Sequence, residues 1–513
     1  MQTRTKIVTL AILIIFNTLF SFKTSIGSEC DEKLAEETYE SVPLDEFSFF
    51  VFDANFTRGD RTVLPSYKNF TNAEELNEDP DRIGTQPIVR AVADFNLDGF
   101  DDIIVAFHET NQLTAVMYSD GKGRFDLSWL PEASRTRLLR EVNIADFDQD
   151  GRPDIYGHTA PHDWKNNKGA GGDAEPDFLI LNKSEGLQSI DIEKITNGNN
   201  HQGAIADLNN DGYLDIVSFD QRTKISNRLK TILYNDGNNN FKKGSQLPNS
   251  ITNNPYYDVE AGDLNGDGLI DLVFSRENYQ TNKKFPDKQM LLVLMNNKDG
   301  IENGEVLKVG KPWFDKIYWD SYKTYLSCLE KKEKYGKPKQ LKIKSGEIAL
   351  FDYDNDGDLD IFYTQQLATN FSNKKVRERG SALSVLNNQY PNFIDVTEEV
   401  IPFQPVNRIH SNDGLGPTRK IYFEDINNDN QKDLILSNFR TNKNRQYPFI
   451  FLNKMNKFHP VSKSNMGNLE FRSQLIPLDL NGDGNIDFVS TRYAKRGIKK
   501  FVFDTFLFDG ESQ

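Results

Sequence analysis

Cysteine is nearly absent from this chain. Two residues in 513, Cys30 and Cys328, exclude a disulfide-dense scaffold and leave at most one bridge, between positions far apart. A surplus of positive charge is missing too: 61 Lys and Arg stand against 76 Asp and Glu, and the net charge of −15 excludes general affinity for nucleic acid. No GxSxG elbow, HExxH pair or phosphate-binding glycine loop occurs. After residue 30 no apolar run is long enough to cross a bilayer as a helix. What is present, 37% hydrophobic and 12% aromatic residues, suffices for one large core or several small ones.

The first residues have a leader's pattern. Arg4 and Lys6 precede an apolar run from Ile7 to Phe22, and Ser25 and Gly27 sit at −3 and −1 of a cut before Ser28. Residues 1–27 are therefore expected to be a signal peptide, and the mature chain to be secreted, periplasmic or at the cell surface without a transmembrane segment. An uncleaved anchor is the alternative, but the run is short for spanning and contains Asn17 and Thr18. Cys30 invites lipid attachment, yet Glu29 stands where such a site has a small residue.

The dominant feature is a nine-residue acidic motif, D-x-[DN]-x-D-[GN]-x-x-D, which occurs seven times. Its oxygen-bearing positions one, three, five and nine are Asp94, Asn96, Asp98 and Asp102 in loop one, and Asp146, Asp148, Asp150 and Asp154 in loop two. Loop three has Asp207, Asn209, Asp211 and Asp215; loop four has Asp263, Asn265, Asp267 and Asp271. Loop five has Asp352, Asp354, Asp356 and Asp360; loop six has Asp425, Asn427, Asp429 and Asp433; loop seven has Asp479, Asn481, Asp483 and Asp487. Oxygen ligands so spaced, with a main-chain carbonyl at position seven, suit a hard cation of calcium's size, and glycine at six permits the tight turn. Up to seven Ca2+ ions are expected. An EF-hand needs Glu at position twelve and flanking helices, but that position holds Val105, Gly157, Ser218, Phe274, Tyr363, Leu436 and Ser490. Strand-like runs such as "DIIVAF" and "DIVSF" follow instead, so each loop joins two strands of a hairpin. An Asx-rich turn without metal is the plainer reading of any one copy. Loop six departs most, with Asn430 in place of glycine.

First aspartates lie 52 to 89 residues apart, the size of a four-stranded blade with its loops. Each unit reads strand A, acidic loop, strand B, variable loop, strand C, turn, strand D. Seven units predict an all-β, seven-bladed β-propeller over 85–513 with one amphipathic helical insertion at 311–340, between blades four and five. The last unit ends after strand C, so a strand at 46–54 in the N-terminal segment 28–84 is expected to close the ring against Phe501 to Phe508. The loops, and the asparagine-rich turns in "TILYNDGNNNF" and "FIFLNKMNKF", resemble the FG-GAP/VCBS repeat family and are similar to the calcium-bearing blades of integrin α-subunit propellers. The integrin-type GAP tripeptide is absent, so the resemblance implies fold and metal and not an integrin-like mode of ligand binding.

Length variation falls mostly on the face opposite the acidic loops, in the B-to-C and D-to-A connections. Basic residues there include Arg377, Arg379, Arg440, Arg445, Arg492 and Arg496, and His158, His162, Trp164 and His201 fall in the same set of loops. These are the candidate ligand contacts. Such a face suits an anionic polysaccharide or an extracellular protein; solvated loops in a lysine-rich chain are the plainer reading. The expected function is an extracellular binding, adhesion or scaffold module. The alternative is a polysaccharide lyase or hydrolase using the His158/His162 loop.

Overall fold

The computed structural model describes residues 54–58, 62–63, 87–107, 114–135, 138–160, 176–190, 192, 202–218, 231–254, 256–276, 289–311, 338–371, 377–401, 418–438, 450–461, 475–495 and 498–511. The chain divides into a large unit, 49–312, 341–369 and 377–513, and a second unit of which only 338–340 and 370–371 are described. The large unit is a seven-bladed β-propeller.

Each blade is an antiparallel sheet whose strands pair in chain order. Blade one comprises Pro87–Ala93, Asp102–Phe107, Thr114–Ser119 and Phe125–Trp129. Blade two comprises Leu138–Ala145, Asp154–Ala160, Phe178–Lys183 and Gly186–Ile190. The remaining first strands are Gly203–Ala206, Tyr256–Gly262, Pro338–Phe351, Thr418–Glu424 and Ile476–Leu478. Strands B and C carry a continuous apolar run, as in Asp271–Arg276 (DLVFSR) and Leu291–Met295 (LLVLM), every residue of which is buried. A neighbouring blade covers each of their faces, so period-two alternation is lost. Strand D alternates, because one face is wet: Gly186–Ile190 is mostly exposed.

The core lies between blades. Six apolar clusters each join two consecutive blades, including one that packs Val89, Ile103 and Val105 of blade one against Leu478, Val489 and Phe503 of blade seven. Phe125 and Phe503 meet edge to face across that junction, with centroids 6.2 Å apart. Helix among the described residues is confined to single turns at Glu132–Arg135, Asn249–Thr252, Thr397–Val400 and Ile301–Asn303.

Blade seven supplies only three strands of its own, Ile476–Leu478, Asp487–Lys495 and Ile498–Glu511. Its fourth comes from the N-terminal side: Ala54–Arg58 pairs antiparallel with Ile498–Glu511, matching Phe56 to Phe508 and Arg58 to Phe506, and Thr62–Val63 continues the edge opposite Phe503 and Val502. The pairing strand is thus downstream of the expected 46–54, whose residues before Ala54 lie outside the described set. Of the expected insertion at 311–340, residues 312–337 also lie outside it, and 338–340 open a 14-residue strand. In blade five the second and third strands, Asp360–Phe371 and Arg377–Gln389, extend well past the usual length.

Closure by Ala54–Arg58 covers the last unpaired edge of blade seven. Deleting residues 54–63 is expected to abolish the cooperative thermal transition seen by circular dichroism; an unchanged melting curve refutes this role.

Candidate functional site

The acidic loops are built around their ninth residue. In all seven, this aspartate begins strand B and is buried, at 0% exposure. One oxygen accepts the N–H of position two of its own loop at 2.8–3.2 Å, as Asp271 Oδ2 does from Leu264. The other accepts an N–H from the end of strand C at 2.7–2.9 Å, as Asp271 Oδ1 does from Asn296. Position two is always a buried apolar residue: Phe95, Phe147, Leu208, Leu264, Tyr353, Ile426 or Leu480. In four blades the next blade's strand C grips its carbonyl: Asn182 Nδ2 donates to Phe95 O at 2.6 Å, Asn296 to Leu208 O at 2.9 Å, Asn388 to Leu264 O at 2.6 Å, and Ser119 Oγ to Leu480 O at 3.0 Å. Burial pushes the ninth carboxyl up to about 6 or 7 in every loop, against the two backbone bonds that lower it.

The other oxygens converge at the loop's outer end. Position one accepts the N–H of position six at 2.7–3.0 Å. Position five accepts that of position seven at 2.8–3.0 Å. Positions four and six both adopt left-handed backbone, at four including non-glycine residues such as Leu97 and Gln149 (φ 60° and 59°). A Cβ on Gly357 (φ +96°) would meet nothing within 4 Å, so glycine answers to conformation and not to space.

Do these residues fit a cation? Carboxylate oxygens of Asp146, Asp148 and Asp154 lie within 4.8 Å of one another, as do those of Asp352, Asp354 and Asp356. Asp148 Oδ1 and Asp354 Oδ1 are buried without any hydrogen-bond partner. Crowding by Asp356 and Asp352 adds to burial in raising the Asp354 carboxyl above its ordinary value. An acceptor left bare inside a protein costs about 1–3 kcal/mol, and a hard cation with oxygen ligands removes that cost. The donor set fits. In five loops position three is asparagine, whose Nδ2 donates to the position-five carboxylate at 2.8–3.1 Å.

The opposite face differs from its expected form. His158 is not in a loop: it lies in strand Asp154–Ala160, fully buried. Its Nε2 is 2.7 Å from Asn143 Oδ1, its ring meets Tyr156 edge to face at 4.8 Å, and a Cβ on Gly203 of blade three would sit 2.3 Å from its Cε1. A side chain so enclosed touches no external ligand, which corrects its assignment as a contact residue. Arg377, Arg379 and Arg492 fall within paired strands and not in loops. His162, Trp164, His201, Arg440, Arg445 and Arg496 lie outside the described residues.

The sequence reading also missed a group of charges on the first strands. Glu141, Asp258, Glu260, Glu347 and Lys420 come from blades two, four, five and six. Lys420 Nζ contacts Glu141 Oε1 and lies 3.7 Å from Glu347 Oε1; Gln202 Nε2 donates to Glu347 Oε2 at 3.3 Å. Asp258 Oδ2 accepts the Ile348 N–H at 2.7 Å. One ammonium faces four carboxylates. Burial, then the neighbouring Asp258 charge, pushes Glu260 up to about 8, and burial pushes Asp258 up to about 7, partly offset by Lys420. The detectable signal was charge interrupting strand A, in "LREVN", "YYDVEAG" and "SGEIALF".

Two predictions follow from these arrangements. Asp271→Ala strands two buried N–H groups and is expected to cost about 2–4 kcal/mol in urea melts even in chelator, whereas Asp354→Asn costs under about 0.5 kcal/mol in chelator and destabilises only relative to wild type in calcium. Equal behaviour of the two variants refutes the division of roles. For Glu260, the folded pKa is raised, so its contribution is fully present below the unfolded value near 4 and is lost as pH rises to about 8. Glu260→Gln is therefore expected to leave stability at pH 4 unchanged and to raise it at pH 8; a loss at pH 8 overturns the assignment.

Among the described residues no helix is long and apolar enough to cross a membrane. No curated protein matches the chain. The family model described as an FG-GAP-like repeat matches residues 94–157 and 207–274, from loop one into strand B of blade two and from loop three into strand B of blade four. These two stretches are similar to FG-GAP-like repeats.

Proposed function

We propose that the chain is a secreted, calcium-loaded propeller acting as an extracellular binding or scaffold module. The observation that carries the metal reading is the buried, unpartnered Asp354 Oδ1 within a cluster of three carboxylates, in a loop geometry that recurs seven times. FG-GAP-like propellers suggest binding of extracellular proteins, and a protein is the partner we favour. An anionic polysaccharide is the other outcome to be tested. The enzymatic alternative rested on a loop holding His158 and His162, and the burial of His158 removes half of that pair.

When bound, the ion would supply positive charge among the side-chain oxygens of positions one, three, five and nine, holding the A-to-B hairpin closed. The protein's own residues do the rest: position nine anchors the loop to strand C, and position two plugs the core.

Removal of calcium by a chelator is expected to lower the melting temperature, and restored calcium to recover it, because an ion bound only by native loops stabilises them by mass action. Identical melts in the two conditions overturn the metal reading. Binding of residues 28–513 to extracellular proteins and to acidic and neutral polysaccharides, each mixture checked for cleavage, separates the partner classes. Salt-sensitive capture of acidic sugars alone shifts the assignment to polysaccharide, and any cleavage shifts it to an enzyme.

A further inference from the structure

The seven loops are not equivalent, and the difference comes from one position outside them. The residue immediately after the one whose N–H the ninth aspartate accepts is Asp120, Lys183, Asp236, Asn297, Gln389, Lys454 and Asp509 in blades one to seven. Only blades two and six have a cation there. In blade two Lys183 Nζ contacts Asp148 Oδ2 and lies 3.1 Å from Asp150 Oδ2, joining positions three and five of its own blade's loop. In blade six Lys454 Nζ contacts Asp429 Oδ2, position five of loop six. Both ammonium groups arrive from the C-to-D turn of the same blade, so the strand B to strand C pairing delivers them to the same place.

Loops two and five make the comparison sharp. Both have aspartate at position three and four carboxylates in all. Oδ1 of the position-three aspartate is bare in both loops; in loop five Asp354 Oδ2 accepts only the neutral Asn387 amide, at 3.0 Å. In loop two the equivalent Asp148 Oδ2 is held by a full positive charge. A full positive charge already beside these carboxylates competes with a divalent ion, which on entering such a loop must displace it or sit beside it. Loop six carries a second difference: Asn430, not glycine, takes the left-handed position six (φ 64°).

We infer that Lys183 and Lys454 are resident counter-ions that close loops two and six to calcium, so that the chain loads five ions and not seven. The inference rests on the calcium reading above. Blades two and six then keep their hairpins closed in chelator by an internal ion pair, while the other five depend on the metal. A tethered ammonium forms no more than a local pair and needs no ligand from solution, so these blades lend the propeller a calcium-independent part.

The test counts ions. The full chain is titrated with calcium against a chelating dye, and the bound ions are counted by native mass spectrometry. Wild type is expected to saturate at five, Lys183→Met and Lys454→Met each at six, and the double variant at seven. Lys183→Arg with Lys454→Arg keeps both charges and is expected to stay at five. If a methionine variant folds only in calcium, that dependence itself supports the inference, since its loop has become reliant on the ion. Seven ions on wild type, or methionine variants that gain none, overturn the inference while leaving the calcium reading intact. No ion on wild type overturns both.

Discussion

Every blade depends on one buried carboxylate. The aspartate at position nine takes an N–H from its own loop on one oxygen and an N–H from strand C on the other. It thereby ties the loop to strands B and C at the end of the ladder that joins them. The residue it holds at position two places its side chain in the core, and in four blades offers its carbonyl to the next blade. Hydrogen bonds to a charged acceptor contribute about 1.5–3 kcal/mol each, and a group that also positions a core side chain has coupled effects beyond that sum. The loop is therefore part of the core's support before any metal is considered.

That arrangement leaves the remaining carboxylates with an electrostatic problem, which the molecule meets in different ways. At loop five the crowding is unrelieved by any charged side chain, so a cation is the natural complement. At loops two and six a lysine from the adjacent turn supplies it. On the first strands a single lysine stands among four carboxylates, and the balance there is struck by raised carboxyl pKa values instead. One fold thus uses an internal ion pair and protonation for the same task, and, on the calcium reading, a bound metal. The choice follows from which side chain the neighbouring strand happens to present.

Much of the propeller was legible because its signal is periodic. Seven copies of one spacing, each followed by an apolar run, identify the A-to-B hairpin, and the missing fourth strand of the last unit implied closure from the N-terminal side. Of the closing strand expected at 46–54 only Ala54 is among the described residues, and the pairing described, Phe56 with Phe508 and Arg58 with Phe506, continues downstream from it. His158 was read as a loop residue because a polar insertion follows it, but Asn143 and the glycine at 203 make room for it inside.

The sequence by itself determined the repeat, the hairpin, the blade count and the oxygen-rich character of the loops. These depend on residues close together in the chain, where spacing alone sets the turn and the side-chain period. Tertiary structure alone decided that position nine serves the backbone on both oxygens, that Lys183 and Lys454 reach the acids of their own blades, and that charges from four blades share one lysine. Each of those is a meeting of residues tens to hundreds of positions apart. Only the pairing of strands and the stacking of blades brings them within the few ångströms at which a charge or a hydrogen bond acts.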